Sequence, residues 1–405
     1  MTLDGTELCF RNRAAKGFAA IQAVALDVMK IILFFISLAL VFLVNEAMTA
    51  QVVVEGEAGY MHVVVDVKNP VYRPNRIFSA PEDLASPRFK GLVDRYWLDE
   101  VVKDESDEFR RILMLRNWLH EYVVVDRSKP AAGGSNGDAL LMLQESPKGG
   151  RYHCSHYMIM LNAVLNSMGH VARCIFAAAG EKEESLSGAH GMNEVWVNSL
   201  CKWVMVDAEH DSHFEKDGVP LSALEIRSHV LSNGGESVFR HKGQSRQRQP
   251  GEPDDTWGRT PRTYAWVAWY PEANIHTIWP KRRSGYEYIL DDDYWRNNTW
   301  YRGGKKHWAY KAGYFKPIKE SGLIYYTPNV LEVNTHIEGT AARVTIESDT
   351  PSLKQYQIRR RGEDWEPVAE RFTLKLTESR HEWWLRSVNL AGVGGPEHRL
   401  VIEHR

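Results

Sequence analysis

Apolar residues recur at three- and four-residue steps in two stretches of the chain, which is the spacing of a buried helix face. The first stretch, Ser106–Val124, begins with a serine that can cap a helix and with acidic residues in its first turn. The second runs from about Ser155 to Met168 and stops at Gly169. Its apolar stripe consists of Tyr157, Leu161, Val164, Leu165 and Met168. Both patterns predict helices.

Alternating and β-branched segments predict strands in the remainder. The predicted strands are a short hairpin over 51–67 that turns at 56–59, a strand over 171–179, and the pair His190–Val197 and Trp203–Asp207. The last two are expected to form a hairpin around residues 198–202. Short alternating strands with turn signals over about 325–405 predict a C-terminal β-sandwich.

A continuous apolar run, IILFFISLALVFLV, occupies Ile31–Val44. It is short for a spanning helix of about 20 residues and suits the apolar region of a secretory signal of up to about 15 residues. Since Met29 and Lys30 precede it directly, we hypothesise that Met29 is the true start and that residues 1–28 are an upstream extension. The alternative is a membrane anchor with a cytosolic tail, which would place Asp27 in or near the lipid at a free-energy cost. In both cases most of the chain is expected outside the cytosol, in the periplasm, at the cell surface or in the medium.

A chain of 405 residues is long enough for two or three domains. Residues 257–308 hold seven of its 14 tryptophans, which sets this segment apart as an aromatic-rich β region. The predicted divisions are an extension and signal or membrane segment (1–50), an N-terminal β and linker region (51–105), a core (106–240), the aromatic-rich region (241–324) and the β-sandwich (325–405).

Composition excludes several classes of protein. A hydrophobic fraction of 43% rules out a wholly disordered chain. The balance of 50 Lys and Arg against 52 Asp and Glu argues against a dedicated nucleic-acid binder, which would carry a basic excess. Four cysteines cannot form the framework of a disulfide-dense scaffold. If one disulfide forms, Cys174 with Cys201 is the pair that would leave Cys154 free.

Cys154 lies at the start of the second predicted helix. The first turn of a helix presents unpaired N–H groups and a partial positive charge, and both favour thiolate over thiol. The same N–H groups can contribute to an oxyanion hole. From position alone, a nucleophile and a buried structural thiol are equally reasonable interpretations.

His190 and Asp207 stand at the two ends of the predicted hairpin that meet in an antiparallel pair. Diagonal neighbours in such a pair lie about 7–8 Å apart by Cα, within reach of a hydrogen bond between the two side chains. Asp207 could then fix the tautomer and orientation of the imidazole, and His190 could take the proton of Cys154. Spacing favours Asp207 in this role, and Glu209 and Asp211 stay open as alternatives.

These segments resemble the transglutaminase-like superfamily, in which the nucleophile, base and orienting acid occur in the order Cys, His, Asp. The resemblance rests on GGRYHCSHYMIMLNAVLNSMGHVARCIF and on HGMNEVWVNSLCKWVMVDAEHD, and it covers about 106–230. The residues in register in the second segment are His190, Asn193, Glu194, Val195, Trp203, Val206 and Asp207. The sequence departs from the family pattern at Met192 and directly before Cys154, where Tyr152 and His153 stand and become the candidates for the second oxyanion donor.

The resemblance implies an α+β fold with a papain-like transglutaminase core, followed by the β-sandwich. It also implies a Cys154–His190–Asp207 triad that forms a thioester from a protein or peptide amide. Water as acceptor would make the protein a protease or amidase, and a lysine amine would make it a crosslinking transferase. The alternative function is a non-catalytic surface protein that docks proteins or glycans through its β modules. The segment WWLRSVNLAGVGGP (383–396) is similar to fibronectin type III domains.

No cofactor is predicted. The run HCSH (153–156) together with His190, His210 and His213 lacks the spacing of a zinc motif, and a metal on Cys154 would block the nucleophile. The tract LDDDYW (290–295) has no EF-hand pattern and is more typical of a solvated loop than of a calcium site. The aromatic-rich region leaves open a glycan contact, although a β core is the more common use of such residues.

Overall fold

In the computed structural model of the protein, the described residues are 62–79, 83–126, 128, 138–178, 190–244, 264–271, 286–293 and 315–404. They belong to one compact unit, Val54–Arg405. The predicted signal or anchor segment, the first half of the predicted 51–67 hairpin and most of the tryptophan-rich stretch lie outside the described residues. Of the helices that are described, none is long and apolar enough to cross a membrane.

The described helices are α1 (Pro87–Tyr96), α2 (Leu98–Val102), α3 (Glu108–Tyr122), α4 (Ala139–Glu145), α5 (Cys154–Ser167), α6 (Ala223–Asn233) and α7 (Ser321–Ile324). The two predicted helices are α3 and α5. The expected cap of α3 was wrong by one residue, because the carboxylate of Asp107, and not Ser106, accepts the N–H of Arg110 at 2.8 Å. Every residue from Tyr157 to Ser167 is buried, so α5 is a central helix rather than a one-sided one.

One sheet carries the core. Its strands are β2 (Ala172–Ala178), β3 (His190–Val197), β4 (Lys202–Asp207), β5 (Ser212–Lys216), β6 (Val219–Pro220), β7 (Phe239–Lys242), β8 (Trp266–Trp269), β9 (Glu287–Leu290) and β10 (Phe315–Ile318). The order is β10-β9-β8-β2-β3-β4-β5-β6, with β7 also paired to β5, and only β9 and β10 are parallel. Helices α1 to α5 contribute to the apolar core on one face of this sheet, and α6 to the core on the other.

The β3–β4 hairpin forms as predicted, with a 3₁₀ turn at Asn198–Leu200. Cys201 closes the turn in the left-handed region, with φ of +50°. The register pairs Asn193 with Val206, so the next pair along brings Asp207 opposite Met192, two positions from His190. The sequence therefore predicted that Asp207 and His190 lie close together at the open end of the hairpin.

The C-terminal region is the expected β-sandwich. One sheet contains β11 (Glu332–Glu338), β12 (Ala341–Glu347) and β15 (Arg371–Lys375); the other contains β13 (Leu353–Arg360), β14 (Glu366–Val368), β16 (Arg380–Asn389), β17 (His398–His404) and the N-terminal strand β1 (His62–Val65). β1 pairs antiparallel with β17, a partner that the predicted local hairpin did not anticipate. The α+β class is confirmed, whereas the domain boundaries and the fibronectin type III resemblance stay predictions.

A buried carboxylate fastens the hairpin to its surroundings. Glu194 on β3 is fully buried and accepts hydrogen bonds from Arg173 (2.7 and 3.1 Å), Trp269 (2.8 Å), the Tyr325 hydroxyl (2.7 Å) and the Ala223 N–H (2.8 Å). The Arg173 guanidinium is itself buried. This network ties β3 to β2, β8, α6 and the segment after α7, because each donor comes from a different part of the chain.

We expect Glu194→Ala to lower the free energy of unfolding by about 3–5 kcal/mol, since it leaves the Arg173 charge buried without its partner. Urea denaturation followed by tryptophan fluorescence measures the change. Glu363→Ala, at an exposed turn of the sandwich, serves as the matched control and should change stability by less than about 0.5 kcal/mol. If Glu194→Ala lowers the free energy of unfolding by less than about 1 kcal/mol, the Glu194 network does not stabilise the fold as described.

Candidate active site

Cys154 is the first residue of α5, with its side chain partly exposed. The chain enters the helix in an extended conformation at His153, whose carbonyl accepts the N–H of His156 at 2.8 Å and so begins the helix. The thiol therefore lies at the positive end of a helix of three to four turns. β3 passes directly alongside this first turn: a Cβ on Gly191 would lie 3.6 Å from the backbone nitrogen of Ser155.

His190, at the start of β3, lies between the Cys154 thiol and the Asp207 carboxylate. Its Nε2 lies 2.7 Å from Oδ2 of Asp207, and both residues are 3% exposed. Sγ of Cys154 lies within 4.8 Å of a ring nitrogen of His190. Nδ1 is buried and has no hydrogen-bond partner among the described residues. Since Nε2 is committed to Asp207, Nδ1 is the nitrogen available to the thiol.

The electrostatics of the pair favour charge on both partners. Burial alone lowers the pKa of His190, but the Asp207 carboxylate and the Cys154 thiol together raise that pKa to about 10. Burial acts to raise the pKa of Asp207, and its contacts with His190 and then His210 hold that pKa well below the usual range. At neutral pH the arrangement is thus an imidazolium held by a carboxylate.

His210 is a second imidazole on the same carboxylate. Its Nδ1 lies 2.9 Å from Oδ2 of Asp207, its backbone N–H donates to Oδ1 at 3.3 Å, and its ring meets that of His190 edge-on at 4.9 Å. Sequence reasoning considered His210 only as a zinc ligand. Its position three residues after Asp207, in the turn that follows β4, was the available signal for this contact.

The two other acids that could have replaced Asp207 make different contacts. Asp211 accepts from Nε of Arg116 at 2.8 Å and from the Asn117 amide at 2.8 Å, so its carboxylate is engaged away from His190. Glu209 reaches the opposite side of the imidazole, with Oε2 at 3.5 Å from Nδ1 of His190. Asp207 is therefore the acid that contacts Nε2, as the spacing favoured.

Comparison with known protein families supports the same core. The model of the transglutaminase-like superfamily matches residues 95–208, which contain all three residues of the predicted triad. Residues 95–208 are a transglutaminase-like domain. No curated protein sequence matches the chain.

Two solved structures show weak similarity. A proposed cysteine protease from Cytophaga hutchinsonii shares 14% identity over 32% of this chain, with a TM-score of 0.24. The transglutaminase of red sea bream shares 10% identity over 79% of this chain, with a TM-score of 0.22. The chain covers 39% and 51% of the lengths of these proteins. The similarities add nothing to the family match.

The two oxyanion candidates of the transglutaminase-like domain lie directly before the helix. Tyr152 is buried, and its ring meets that of His156 edge-on at 5.8 Å. His153 is exposed, and its backbone N–H donates to Nδ1 of His156 at 3.0 Å, which removes that N–H from the set available to an oxyanion. A role for either side chain stays a prediction.

Three groups of side chains among the described residues bring ligand atoms within 4.8 Å of one another: Cys154, His190 and Glu209; His190, Asp207 and His210; and His213, Glu215 and His241. An ion at either of the first two would occupy the thiol or the imidazole that acyl chemistry uses. In the third, Arg116 lies 3.1 Å from Nδ1 of His213, so Nε2 carries the proton and donates to Glu215 at 3.0 Å. That hydrogen-bond pattern suits a structural network better than a metal centre.

One acid of the LDDDYW tract that was considered for calcium, Asp292, forms an ion pair instead. Both carboxylate oxygens of Asp292 accept from the guanidinium of Arg227, at 2.6 and 3.0 Å.

All three described cysteines, at positions 154, 174 and 201, are free thiols, so the Cys174–Cys201 disulfide is not formed.

We expect His190 to keep its proton at pH 7 and to lose it only as the pH rises through about 10. His213 is the internal control: burial lowers the pKa of its ring to about 4, so it should be neutral at pH 7. Imidazole ¹⁵N NMR of the full chain measures both. In Asp207→Asn the His190 titration should move to lower pH, because the carboxylate that raises its pKa is gone. A His190 that is neutral at pH 7 in the native protein would contradict the assignment.

Proposed function

We propose that the protein is an exported cysteine acyl enzyme that acts on protein or peptide amides through Cys154, His190 and Asp207. The observation that carries this proposal is the imidazole of His190, which Asp207 holds at 2.7 Å through one nitrogen while the other faces the thiol at the start of α5. The match of residues 95–208 to the transglutaminase-like superfamily supports the same chemistry, since the resemblance implies Cys154 as the nucleophile.

The first half-reaction makes a thioester. The Cys154 sulfur attacks the carbonyl carbon of the amide, and the N–H groups at the start of α5 stabilise the developing oxyanion. His190 then gives its Nδ1 proton to the departing nitrogen, the C–N bond breaks, and ammonia or an amine leaves. Asp207 keeps the ring oriented and stabilises its charged form throughout.

The second half-reaction frees the enzyme. His190, now neutral at Nδ1, takes a proton from the acceptor as it attacks the thioester carbonyl, and the C–S bond breaks to restore thiolate and imidazolium. Water as acceptor gives a carboxylic acid, and a lysine amine gives a new amide. The triad serves both outcomes equally, because the thioester is common to them.

Export is the part of the proposal that rests on sequence alone. The apolar run Ile31–Val44, preceded by Met29 and Lys30, supports a secretory signal, with an uncleaved membrane anchor as the alternative. We expect peptide mapping of the mature protein by mass spectrometry to find an N-terminus after the apolar run. Recovery of a peptide covering Thr2–Arg11 would contradict the start at Met29.

The test of the catalytic proposal is ammonia release from an N-blocked glutaminyl-glycine dipeptide and peptide-bond cleavage in unfolded casein. We expect Cys154→Ala to lower kcat/KM at least about a thousandfold, because the acyl intermediate cannot form. Cys201→Ser, an exposed thiol in the β3–β4 turn, is the matched control and should retain activity.

Iodoacetamide labelling near neutral pH gives an independent readout of the same proposal. Cys154 should react faster than Cys201, because its sulfur lies at the first turn of α5 beside the imidazole of His190, where a nucleophilic cysteine is placed. Equal labelling rates, combined with full activity of Cys154→Ala, would favour a non-catalytic role for the domain.

A further inference from the structure

A cavity of about 510 Å³ lies at the end of α5 opposite to Cys154, between the helices and the β-sandwich. Ser167, the last residue of α5, lines it together with His170 and the sandwich loop 390–394. Because α5 has 14 residues, each rising about 1.5 Å along the axis, the cavity lies roughly 20 Å from the thiol. It is therefore separate from the candidate active site, and its volume is that of a pocket for a small molecule, roughly 300–1,000 Å³.

The sandwich wall of this cavity is fixed to the end of the helix. The Asn389 amide donates to the carbonyl of Gly169 at 2.8 Å, and its oxygen accepts the N–H groups of Ala391 and Val393 at 3.1 and 3.0 Å. A Cβ on Gly169 would lie 2.6 Å from Cβ of Ala391, so the loop touches the backbone that leaves α5. The cavity is thus preformed, because both of its walls are held by direct contacts.

The buried end of the cavity carries a guanidinium and an imidazole. His170 is 5% exposed, and burial together with the nearby charge of Arg111 lowers the pKa of its ring to about 4, so the ring is neutral at pH 7. Among the described residues, Nδ1 of His170 and Nε of Arg111 are buried without a hydrogen-bond partner, and no ion pair includes Arg111. A partly buried guanidinium without a counter-charge costs free energy, which an anionic group in the cavity would offset.

The open end of the cavity carries the opposite charge. Asp94 on α1 and Asp99 on α2 line it, and both are exposed. Lys90 is the exposed cation of the same lining, and none of the ion pairs among the described residues joins it to either acid. Glu108 also lines the cavity, but its carboxylate oxygens accept hydrogen bonds at 2.7 and 2.8 Å from the β3–β4 turn. Asp94 and Asp99 are therefore the carboxylates that a ligand can reach from solvent.

The two ends together select a ligand that carries both charges. A doubly negative phosphate would pair with Arg111 but would lie among the carboxylates of Asp94 and Asp99. A simple cation would suit those acids and leave the guanidinium without a partner. A carboxylate matches the donor fork of an arginine with two parallel hydrogen bonds, and an ammonium donates charge-assisted hydrogen bonds to carboxylates. The lining thus favours a zwitterion.

We propose that this cavity binds the zwitterion of a free amino acid or a short peptide. The carboxylate of the ligand pairs with Arg111 beside the neutral ring of His170, and its ammonium group lies toward Asp94 and Asp99. An amino acid and a dipeptide share this chemistry, and the test separates them. The inference goes beyond the proposed catalytic function and does not depend on it, because none of these residues belongs to the Cys154 site.

The test is isothermal titration calorimetry on the full chain carrying Cys154→Ala, in which no probe can be turned over by the thiol. Alanine and alanyl-alanine are the two zwitterionic probes. Alanyl-alaninamide lacks the carboxylate, N-acetyl-alanyl-alanine lacks the ammonium group, and inorganic phosphate reports a site for anions in general. The tighter binder of alanine and alanyl-alanine identifies the source of the zwitterion.

In Arg111→Gln the affinity for alanyl-alanine should fall at least about tenfold, the effect of losing hydrogen bonds between charged groups. Arg110→Gln is the matched control on the same helix, because Arg110 pairs with Glu105 at 2.9 Å and does not line the cavity, and its affinity should be unchanged. Alanyl-alaninamide should bind about tenfold more weakly than alanyl-alanine. Asp94→Asn combined with Asp99→Asn should weaken the binding of alanyl-alanine and leave that of N-acetyl-alanyl-alanine unchanged.

Three results would overturn the inference: equal affinity of Arg111→Gln and its parent, equal affinity for alanyl-alanine and its amide, or tighter binding of phosphate than of both zwitterions. Imidazole ¹⁵N NMR gives a second readout that needs no substitution in the cavity. The His170 signals should move when alanyl-alanine is added, while those of His213 stay in place. His170 signals that do not move would equally overturn it.

Discussion

The hydrogen bond between Asp207 and His190 is the interaction on which the site depends. It commits Nε2, fixes the plane of the imidazole and leaves Nδ1 directed to the thiol at the start of α5. Because both residues are buried, the bond also holds charge on each partner, with the pKa of His190 raised and that of Asp207 lowered. Neither effect would survive if the hairpin slipped by one residue, since a slip turns every side chain to the other face.

The rest of the core maintains that register. The turn at Asn198–Cys201 sets the pairing of β3 with β4, and Glu194 secures β3 through a buried carboxylate that receives donors from four other residues. The first turn of α5 packs against β3 at Gly191. Cysteine, histidine and aspartate therefore reach one another through elements that pair or pack directly against one another.

Much of this arrangement could be predicted from sequence because its determinants are local. Helical spacing gives α5 with Cys154 at its start, and a hairpin with a short turn brings His190 near Asp207. Contacts set by tertiary structure could not be predicted in the same way. The pairing of β1 with β17 joins residues more than 300 positions apart, and the engagement of Asp211 by Arg116 comes from a helix almost 100 residues upstream.

The contacts of Glu209 and His210 could be predicted only in part, because they depend on both local sequence and tertiary structure. Both follow Asp207 in one turn, but which side of the imidazole each of them reaches depends on how that turn closes. His210 folds back onto the Asp207 carboxylate, while Glu209 reaches Nδ1 of His190 from the other side. The turn thus adds a second imidazole and a second carboxylate to a site that the motif describes by three residues.

A thioester on Cys154 would leave the acyl group attached to that residue, where it can be located. The native protein is mixed briefly with p-nitrophenyl acetate, quenched in acid, digested and mapped by mass spectrometry. We expect an acetyl group on the peptide that contains Cys154, removable by hydroxylamine as a thioester is, and far less of it in Asp207→Asn. Acetylation of Cys201 in preference to Cys154, or equal acetylation of Cys154 with and without the Asp207 carboxylate, would contradict it.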